Sequence, residues 1–599
     1  MASFSGQMWG DAIKEDLKAG LKLDVLVDQP ENKRRHVCVS PVDSNAASVQ
    51  PEESTDHWPE ELRLSMDWFQ EVASGCNGRR ESVLVAAPTS AGKTLVALHA
   101  IQRCLDRGER VGYTAPVKAL SNQKYGDFVR LFGADKVCLL TGDATAGDPD
   151  TAPIVVMTTE VLVGMLHNDR NRAESEDGLI RQMTTAIFDE VHYIADEERG
   201  TVWEEAIILL ERHISLVCLS ATIPNYLELA AWIAQTRHGP CHAVYSGHRP
   251  VPLEHCVFPC PPSKEATVIV DKKGRFSARG FQKAIRDLPR RAEANTGNQD
   301  EKLNSNSRDR DKELLAAVEE CKERKDLPLI LFSFSRAECT KAARDLSANL
   351  RLKPRARELV LGMVREVVEK HLAPEDRNLD SIRYCTEHLL PRGVGVHHGG
   401  LLPVLRELTE QLFQDGHLKI LCTTETFAIG VNMPSKAVIF NWAPNREFRK
   451  YDGQQQRVVR SGEYRQMSGR AGRRNQDGYA RAISIMACHA ELGLVKRITV
   501  GEAEKVESKF RLSYSLILRN LRTSRAQLEL LTSQSFRQFQ TDSSEVMVFK
   551  EEAESKLRVL QHLGLVQEGR GLTSTGAALS RVQVAGNELL AACLLEHGL

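Results

Sequence analysis

Apolar residues along this chain gather into short, nearly continuous runs separated by longer amphipathic stretches. From residue 83 to about 245 the runs are Val83-Leu84-Val85, Val111-Gly112-Tyr113-Thr114, Val137-Cys138-Leu139-Leu140, Ile154-Val155-Val156-Met157, Thr185-Ala186-Ile187-Phe188 and Leu216-Val217-Cys218-Leu219. Runs of this length with helix-period stretches between them predict strands buried on both faces of a parallel sheet. A second set runs through Leu329-Ile330-Leu331-Phe332, Gly393-Val394-Gly395-Val396, Leu418-Lys419-Ile420-Leu421-Cys422 and Ala437-Val438-Ile439-Phe440. The pattern predicts an α/β chain with two tandem parallel-sheet domains, at 59–246 and 314–500. Residues 1–58 read as a flexible lead-in, polar over Asn45 to Asp56, with His36-Val37-Cys38-Val39 as one short strand. Residues 247–313 read as a linker, extended at Arg249-Pro250-Val251-Pro252-Leu253 and disordered over Ala294 to Asp311. Glu554 to Val566 has helical amphipathicity and a Gly564 stop, followed by a Gly-rich turn, which predicts a winged-helix domain at 501–582. Residues 583–599 read as the start of a helical bundle.

Polar chemistry sits where these strands end. After Val83-Leu84-Val85 comes Ala86-Ala87-Pro88-Thr89-Ser90-Ala91-Gly92-Lys93-Thr94, then a helix opening at Leu95. A strand, a loop of small residues, Gly-Lys-Thr and a helix form the context for phosphate binding, because backbone N–H groups and the helix N-terminus converge on an anion. Lys93 would reach the β- and γ-phosphates and Thr94 would hold Mg²⁺. Ala87 stands where the regular pattern has a glycine. Gln70, on a helix beginning near Met66, carries an amide that donates and accepts and so suits an adenine edge. Asp189-Glu190 follows the run ending in Phe188. Adjacent acids after a buried strand are costly unless they serve chemistry; Asp189 suits Mg²⁺ and Glu190 suits polarising an attacking water, with His192 beside them. Gln466-Met467-Ser468-Gly469-Arg470-Ala471-Gly472-Arg473 places two arginines three apart, which predicts one helical face directed at the transferred phosphoryl group.

Composition narrows the partners. The chain has 599 residues, 42% hydrophobic and 27% charged, with 79 Lys and Arg against 80 Asp and Glu. Any polyanion must therefore be bound by a local groove and not by a global field. No apolar run reaches membrane-spanning length, and Met1 to Gly20 has no continuous apolar core of a secretory signal. The scattered cysteines fit reduced thiols in the nucleus or cytosol. Cys241-His242 with His255-Cys256 and Cys260 offers zinc donors, but the spacings match no finger or ribbon, so structural thiols are the preferred reading. His397-His398 lacks further ligands at suitable spacing; with Gly399-Gly400 it reads as a close-approach loop.

Taken together, these segments resemble DExH-box helicases of superfamily two, in the superkiller-like branch. The resemblance rests on the phosphate loop, Ala115-Pro116-Val117-Lys118 through Gln123-Lys124, Asp189-Glu190-Val191-His192, Ser220-Ala221-Thr222, His397 through Pro403, Thr424 through Pro434, and Gln466 through Arg473. Within the branch, Pro240 to Leu253, Ser461 to Ser468 and Ser535 to Gln540 resemble the nuclear exosome helicases, with the cytoplasmic superkiller helicases close behind. The resemblance implies RecA-like domains, ATP and Mg²⁺, and 3′-to-5′ translocation on RNA in RNA processing and degradation. It implies exosome and polyadenylation-complex adaptors as partners, no membrane, and a nuclear location with the cytoplasm as alternative. It implies nucleotide contacts from Gln70, Ala87 to Thr94, Gly430 and Asn432. It implies an RNA path along Pro116, Lys118, Gln123, Gly142, Thr159, Glu160, Arg336, Gly399 and Thr424, with a strand-parting hairpin in Asn445 to Tyr464. Contacts to RNA from such residues suit backbone recognition without sequence readout.

Some features depart from the family. Leu64 replaces an aromatic residue near adenine, and Asn475 a glycine. Only Thr541 to Glu552 stands where the exosome helicases insert an arch, and the chain stops at Leu599 as the bundle begins, so a non-processive RNA-stimulated ATPase or scaffold is the competing reading. A DNA-repair helicase is a third.

Overall fold

The buried runs become strands at the expected places. In the computed structural model, residues 20–42, 58–62, 66–142, 144–171, 179–259, 265–286, 288, 312–425, 427, 433, 435–442, 448–452, 455–486, 489–541, 546–567 and 571–580 are described. The chain divides into two units, one of residues 1–87, 92–248 and 505–599, the other of 88–91 and 249–504.

The first unit is built on a ten-stranded sheet. Its strands are β1 (Leu21–Gln29), β2 (Arg34–Pro41), β3 (Ser82–Ala86), β4 (Arg110–Ala115), β5 (Val137–Leu140), β6 (Thr145–Ala146), β7 (Ile154–Thr158), β8 (Met183–Phe188), β9 (Ser215–Ser220) and β10 (Cys241–Ser246), in the order β1-β2-β10-β3-β9-β8-β4-β7-β5-β6. Strands β10 through β5 in that order are parallel. Helices α1 (Trp68–Gly78), α2 (Lys93–Asp106), α3 (Lys118–Phe132), α4 (Thr159–Asn171), α5 (Gly200–Leu209) and α6 (Tyr226–Arg237) complete the alternation. Every residue of β3, β4, β7 and β9 is buried, as a doubly covered parallel sheet requires.

The sheet is nonetheless mixed, because antiparallel pairs β1–β2, β2–β10 and β5–β6 edge the parallel strands. Residues 21–41, expected within a flexible lead-in, are part of this sheet. Leu21, Lys22, Leu23, Asp24 and Val25 alternate apolar and charged, the signature of a half-exposed edge strand. Residues 1–19 and 43–57 lie outside the described residues.

The second unit holds a seven-stranded sheet in the order β12-β11-β19-β16-β13-β15-β14. Its first strands are β11 (Leu253–Pro259) and β12 (Thr267–Val270), followed by helix α7 (Ala278–Ile285). These fall in the expected linker and correct its boundary: β11 runs parallel to a strand 227 residues later, Leu253 facing Ala480, a pairing that local pattern does not announce. The expected disordered insertion at 294–311 lies outside the described residues. The rest of the sheet is β13 (Leu329–Ser333), β14 (Val394–His397), β15 (Ile420–Thr423), β16 (Ala437–Asn441) and β19 (Ala480–Met486), with a separate hairpin β17 (Arg449–Asp452) and β18 (Gln455–Val458). Only β12 is antiparallel to its neighbour in the large sheet. Its helices include α8 (Arg336–Asn349), α9 (Pro354–His371), α10 (Pro403–Gln414), α11 (Ser461–Ser468) and α12 (Leu492–Val500).

The chain then returns to the first unit. Helices α13 (Tyr514–Leu521), α14 (Arg525–Gln534), α15 (Phe536–Gln540), α16 (Val546–His562) and α17 (Ser574–Leu579), with strands β20 (Val566–Gln567) and β21 (Gly571–Leu572), share one apolar core with α5 and α6. Residues 505–580 are thus not a free-standing domain: Trp232 of α6 donates its indole N–H to the Gln534 carbonyl at 2.7 Å and packs on Phe536. The expected bundle start at 583–599 lies outside the described residues.

Glu204 of α5 is buried under this segment, where the Ser508 hydroxyl and the Phe536 N–H bond its carboxyl, the latter at 2.6 Å. Burial pushes Glu204 up to about 8, against the pull of those hydrogen bonds. The unfolded chain releases this proton near the ordinary ~4.3. The stability it contributes is therefore complete below that value, declines as pH rises, and is gone above about 8. A fall in denaturant midpoint between about pH 6 and about pH 8 is expected of the parent chain, and Glu204→Gln, which keeps a donor and an acceptor, is expected to remove the share of it due to Glu204.

Candidate functional site

The phosphate loop leaves the carboxyl end of β3, where open parallel sheets gather their function. Ala87 N–H donates to the Ser220 carbonyl at 3.2 Å, tying the loop to the end of β9. Gly92 has φ 90°, a left-handed conformation that costs glycine nothing and lets the backbone turn into α2. Lys93 is the first residue of that helix, and its Nζ donates to the Ala87 carbonyl at 3.0 Å, so the side chain spans the loop. Thr94 Oγ1 accepts from Lys124 Nζ at 3.3 Å.

Gln70 lies beneath the loop. Its Nε2 donates to the Gly92 carbonyl at 2.8 Å, and its Oε1 accepts from Asp67 N–H at 2.7 Å, closing a capping box on α1. Both arms of the amide are committed to backbone, so in this structure Gln70 shapes the loop and is not presented to a base.

Asp189 follows β8. Its N–H donates to the Thr114 carbonyl at 3.0 Å and its Oδ2 accepts from the Tyr113 hydroxyl. Burial pushes the Asp189 carboxyl up and the neighbouring Glu190 adds to it, while Lys124, Tyr113 and Lys93 pull it back. Glu190 adopts φ 57°, a left-handed conformation rare for a non-glycine residue and found where surroundings enforce it. Its Oε2 lies 3.4 Å from His192 Nδ1, which in turn lies 3.5 Å from the Ala221 N–H. Burial holds the His192 imidazole below its ordinary value, against Glu190. The structure thus brings Lys93, Thr94, Asp189, Glu190 and His192 to one end of one sheet, and adds two residues that sequence reasoning missed. Tyr113 sits inside β4, and only the β4–β8 register places it beside the acids. Lys124 is 2% exposed and occupies the apolar stripe Leu120, Phe128 and Phe132 of α3. A charge in such a stripe is the signal that would have found it.

The arginine segment differs from expectation. Helix α11 ends at Ser468, so Arg470 and Arg473 do not share a helical face; they lie in the turn beyond it. Gly469 and Gly472 weaken the helix there. Arg473 is fixed by Asp477 through Nε and a terminal nitrogen, at 2.9 and 2.8 Å. Arg470 is buried, and its carbonyl accepts from Ser435 N–H at 2.8 Å. Gln466 Nε2 is buried with no hydrogen-bond partner among the described residues. Gly430, Asn432 and Leu64 lie outside the described residues.

The expected path residues form a group in each unit. In the first, Lys118, Gly142 and Glu160 are exposed at the ends of β4, β5 and β7, and Gln123 follows on α3. Arg199, missed in the sequence, binds the Pro116 carbonyl and approaches Glu160 at 3.8 Å. Pro116 and Thr159 are buried, which leaves them backbone and not side chain to offer. In the second unit Arg336, Gly399 and Thr424 stand at the ends of the adjacent strands β13, β14 and β15, Arg336 and Gly399 exposed and Thr424 buried. A Cβ on Gly399 would lie 3.6 Å from the Arg336 guanidinium, an ordinary van der Waals contact, so the packing there does not itself require glycine. His397 and His398 have separate partners, Glu410 at 2.6 Å and Thr340 at 3.1 Å, and do not converge on a cation. In the expected hairpin segment, β17 and β18 pair antiparallel and are anchored on α11 by Glu463, which accepts from Arg457 at 2.6 Å and Lys450 at 3.0 Å. Cys241 and His242 belong to the first unit, His255 and Cys256 to the second, and Cys260 lies outside the described residues. Among the described residues no helix is long and apolar enough to cross a membrane.

Comparison with known proteins agrees with this geometry. Residues 69–229 match the DEAD/DEAH box helicase family and residues 372–475 the helicase conserved C-terminal domain. The chain is 42% identical over 487 residues to "ATP-dependent RNA helicase mtr4" of Schizosaccharomyces pombe, covering 80% of this chain and 42% of the relative. It is 38% identical over 538 residues to "Exosome RNA helicase MTR4" of Mus musculus, covering 88% and 49%. It is 40% identical over 481 residues to "Superkiller complex protein 2" of Homo sapiens, covering 79% and 37%. The chain thus spans less than half the length of each of these relatives.

Proposed function

Since the chain belongs to the DEAD/DEAH box helicases that carry the helicase C-terminal domain, we propose that it is an ATP-dependent RNA helicase moving 3′ to 5′ on RNA. The observation that carries this reading is the convergence of Lys93, Thr94, Lys124, Tyr113, Asp189 and Glu190 at the carboxyl end of one sheet.

The residues fit a nucleotide and a hard divalent cation. Asp189 is a desolvated carboxylate whose ionised form Glu190 disfavours, and Thr94 offers a hydroxyl. Mg²⁺ held by these two would neutralise charge on the bound phosphates. Lys93 would leave the Ala87 carbonyl for phosphate oxygens, and Thr89 to Gly92, between Pro88, which has no N–H, and the start of α2, would contribute backbone N–H groups, with Ala87 and Pro88 lining the loop. Glu190 accepts the proton of the attacking water, and His192 relays its state to Ala221. Gln466, Arg470 and Arg473 are assigned to the transferred phosphoryl group on the resemblance, with Arg473 exchanging Asp477 for phosphate. Gly430 and Asn432 are assigned to the nucleotide on the same ground.

The two sheets are read as RecA-like and residues 501–582 as a winged helix packed on the first of them. The path groups around Lys118 and Arg336 are assigned to RNA backbone, and β17–β18 to strand separation. Similarity to relatives named for the exosome and the superkiller complex supports a role in RNA processing and degradation, with exosome and polyadenylation-complex adaptors as partners. A nuclear location is preferred over a cytoplasmic one.

The test is strand displacement on 3′-tailed RNA and DNA duplexes, run beside ATP hydrolysis. ATP-dependent displacement of RNA is expected. Hydrolysis without displacement would make the chain a non-processive RNA-stimulated ATPase, and preference for DNA would overturn the RNA assignment.

A further inference from the structure

One face of the first sheet carries a cluster that the ATP chemistry does not use. His36 on β2, His242 on β10 and Cys76 on α1 are all buried and bring their donor atoms within 4.8 Å of one another. His36 Nε2 lies 2.9 Å from His242 Nδ1 and 4.0 Å from Cys76 Sγ. Zinc–ligand bonds of about 2.0 Å to nitrogen and about 2.3 Å to sulfur in a tetrahedron separate two nitrogens by about 3.3 Å and nitrogen from sulfur by about 3.6 Å. The three donors already stand near those separations.

Their surroundings are those of a metal site. His242 Nε2 lies 3.0 Å from Glu81 Oε2, a carboxylate that only accepts, so the ring proton sits on Nε2 and the Nδ1 lone pair faces His36. A carboxylate behind a ligating imidazole is the outer-shell partner that fixes its tautomer and raises its basicity. Arg79 bonds the same carboxylate at 2.7 Å and places a terminal nitrogen 3.5 Å from Cys76 Sγ. In the β2–β10 ladder Cys38 stands directly opposite His242 and therefore on the same face of the sheet. Its Sγ is not among the donor atoms that lie within 4.8 Å of one another, and it would turn toward them to complete the set.

We propose that His36, Cys76 and His242, with Cys38 completing the set, bind one zinc ion that pins β2 and β10 to α1. The site differs from the zinc reading that the sequence spacing suggested: it shares His242 with it, but takes its other donors from 36, 38 and 76. It is independent of the proposed helicase activity, since none of the four residues belongs to the phosphate loop or the acidic pair.

The experiment is metal analysis of the full chain, purified without a metal-binding tag, followed by chelation and titration with Co²⁺. One equivalent of zinc as isolated is expected, as is one equivalent of Co²⁺ giving a thiolate-to-cobalt charge-transfer band. The Cys38→Ser, Cys76→Ser double variant should remain folded by circular dichroism and lose that band, Cys76→Ser alone should weaken it, and His242→Gln should weaken Co²⁺ binding at least about tenfold. Absence of the band in the parent chain together with absence of stoichiometric zinc would overturn the site, as would a band that Cys76→Ser leaves unchanged or that survives the double variant.

Discussion

Glu190→Gln should bind ATP and hydrolyse it on the order of 10²- to 10⁴-fold more slowly than the parent chain, the range over which a positioned general base acts. The substitution preserves size and the left-handed backbone that Glu190 must adopt, and removes only the charge that accepts a proton. It also lifts the like charge that raises Asp189, so nucleotide binding measured separately should be retained or strengthened. Lys93→Ala should lose both, because the side chain that spans the loop to Ala87 is the one assigned to phosphate. Steady-state turnover with saturating RNA, beside equilibrium binding of a fluorescent nucleotide, separates the two variants. Unchanged turnover in Glu190→Gln would sink the assignment of Glu190 as base, whatever becomes of Lys93.

That contrast rests on residues of which some were legible in the sequence and some were not. Lys93, Asp189 and Glu190 announce themselves because each follows an apolar run that can only be a buried strand. Tyr113 and Lys124 do not, since their role arises when β4 lies beside β8 and α3 brings a charge under the loop. Gln70 was legible as an amide next to a phosphate loop, but its two backbone bonds, one to a residue 22 positions away, were not. The two sheets were legible as sets of strands, and His36 to Val39 of β2 as a short strand, whereas their edges were not: β2 joins the first sheet beside β10, and β11 finds its partner, only through long-range pairing. The arginine turn shows the opposite error. A spacing of three suggested a helix face, and two glycines ended the helix first.

The segment after residue 505 was the least legible, and it carries the largest expected effect on stability. Glu205→Ala should destabilise the first unit by roughly 3–5 kcal/mol, the cost of removing one partner from a buried ion pair. Glu205 is fully buried on α5 and accepts from three residues on two other helices: His167 of α4 at 2.8 Å, Asn520 of α13 at 3.1 Å, and the Arg519 guanidinium of α13. Gln527 of α14 extends the network to Asn520 at 2.9 Å and His167 at 3.3 Å. Burial alone would push the Glu205 carboxyl up, but Arg519, His167 and Asn520 together hold it below its ordinary value. Alanine takes the buried acceptor away from the Arg519 charge, the His167 imidazole and the Asn520 amide. Glu205→Gln keeps an acceptor for His167 and Asn520 and loses only the charge, so its loss should be the smaller of the two. Denaturant unfolding of both variants gives the order, and limited proteolysis shows where the loss falls. Early cleavage between residues 505 and 541 in Glu205→Ala, with the sheet still protected, is expected from a network that ties α13 to α5 through Glu205. Equal midpoints for the parent, Gln and Ala chains would mean that the shared apolar core of α5, α6 and α13 to α16 holds this segment without the ion pair.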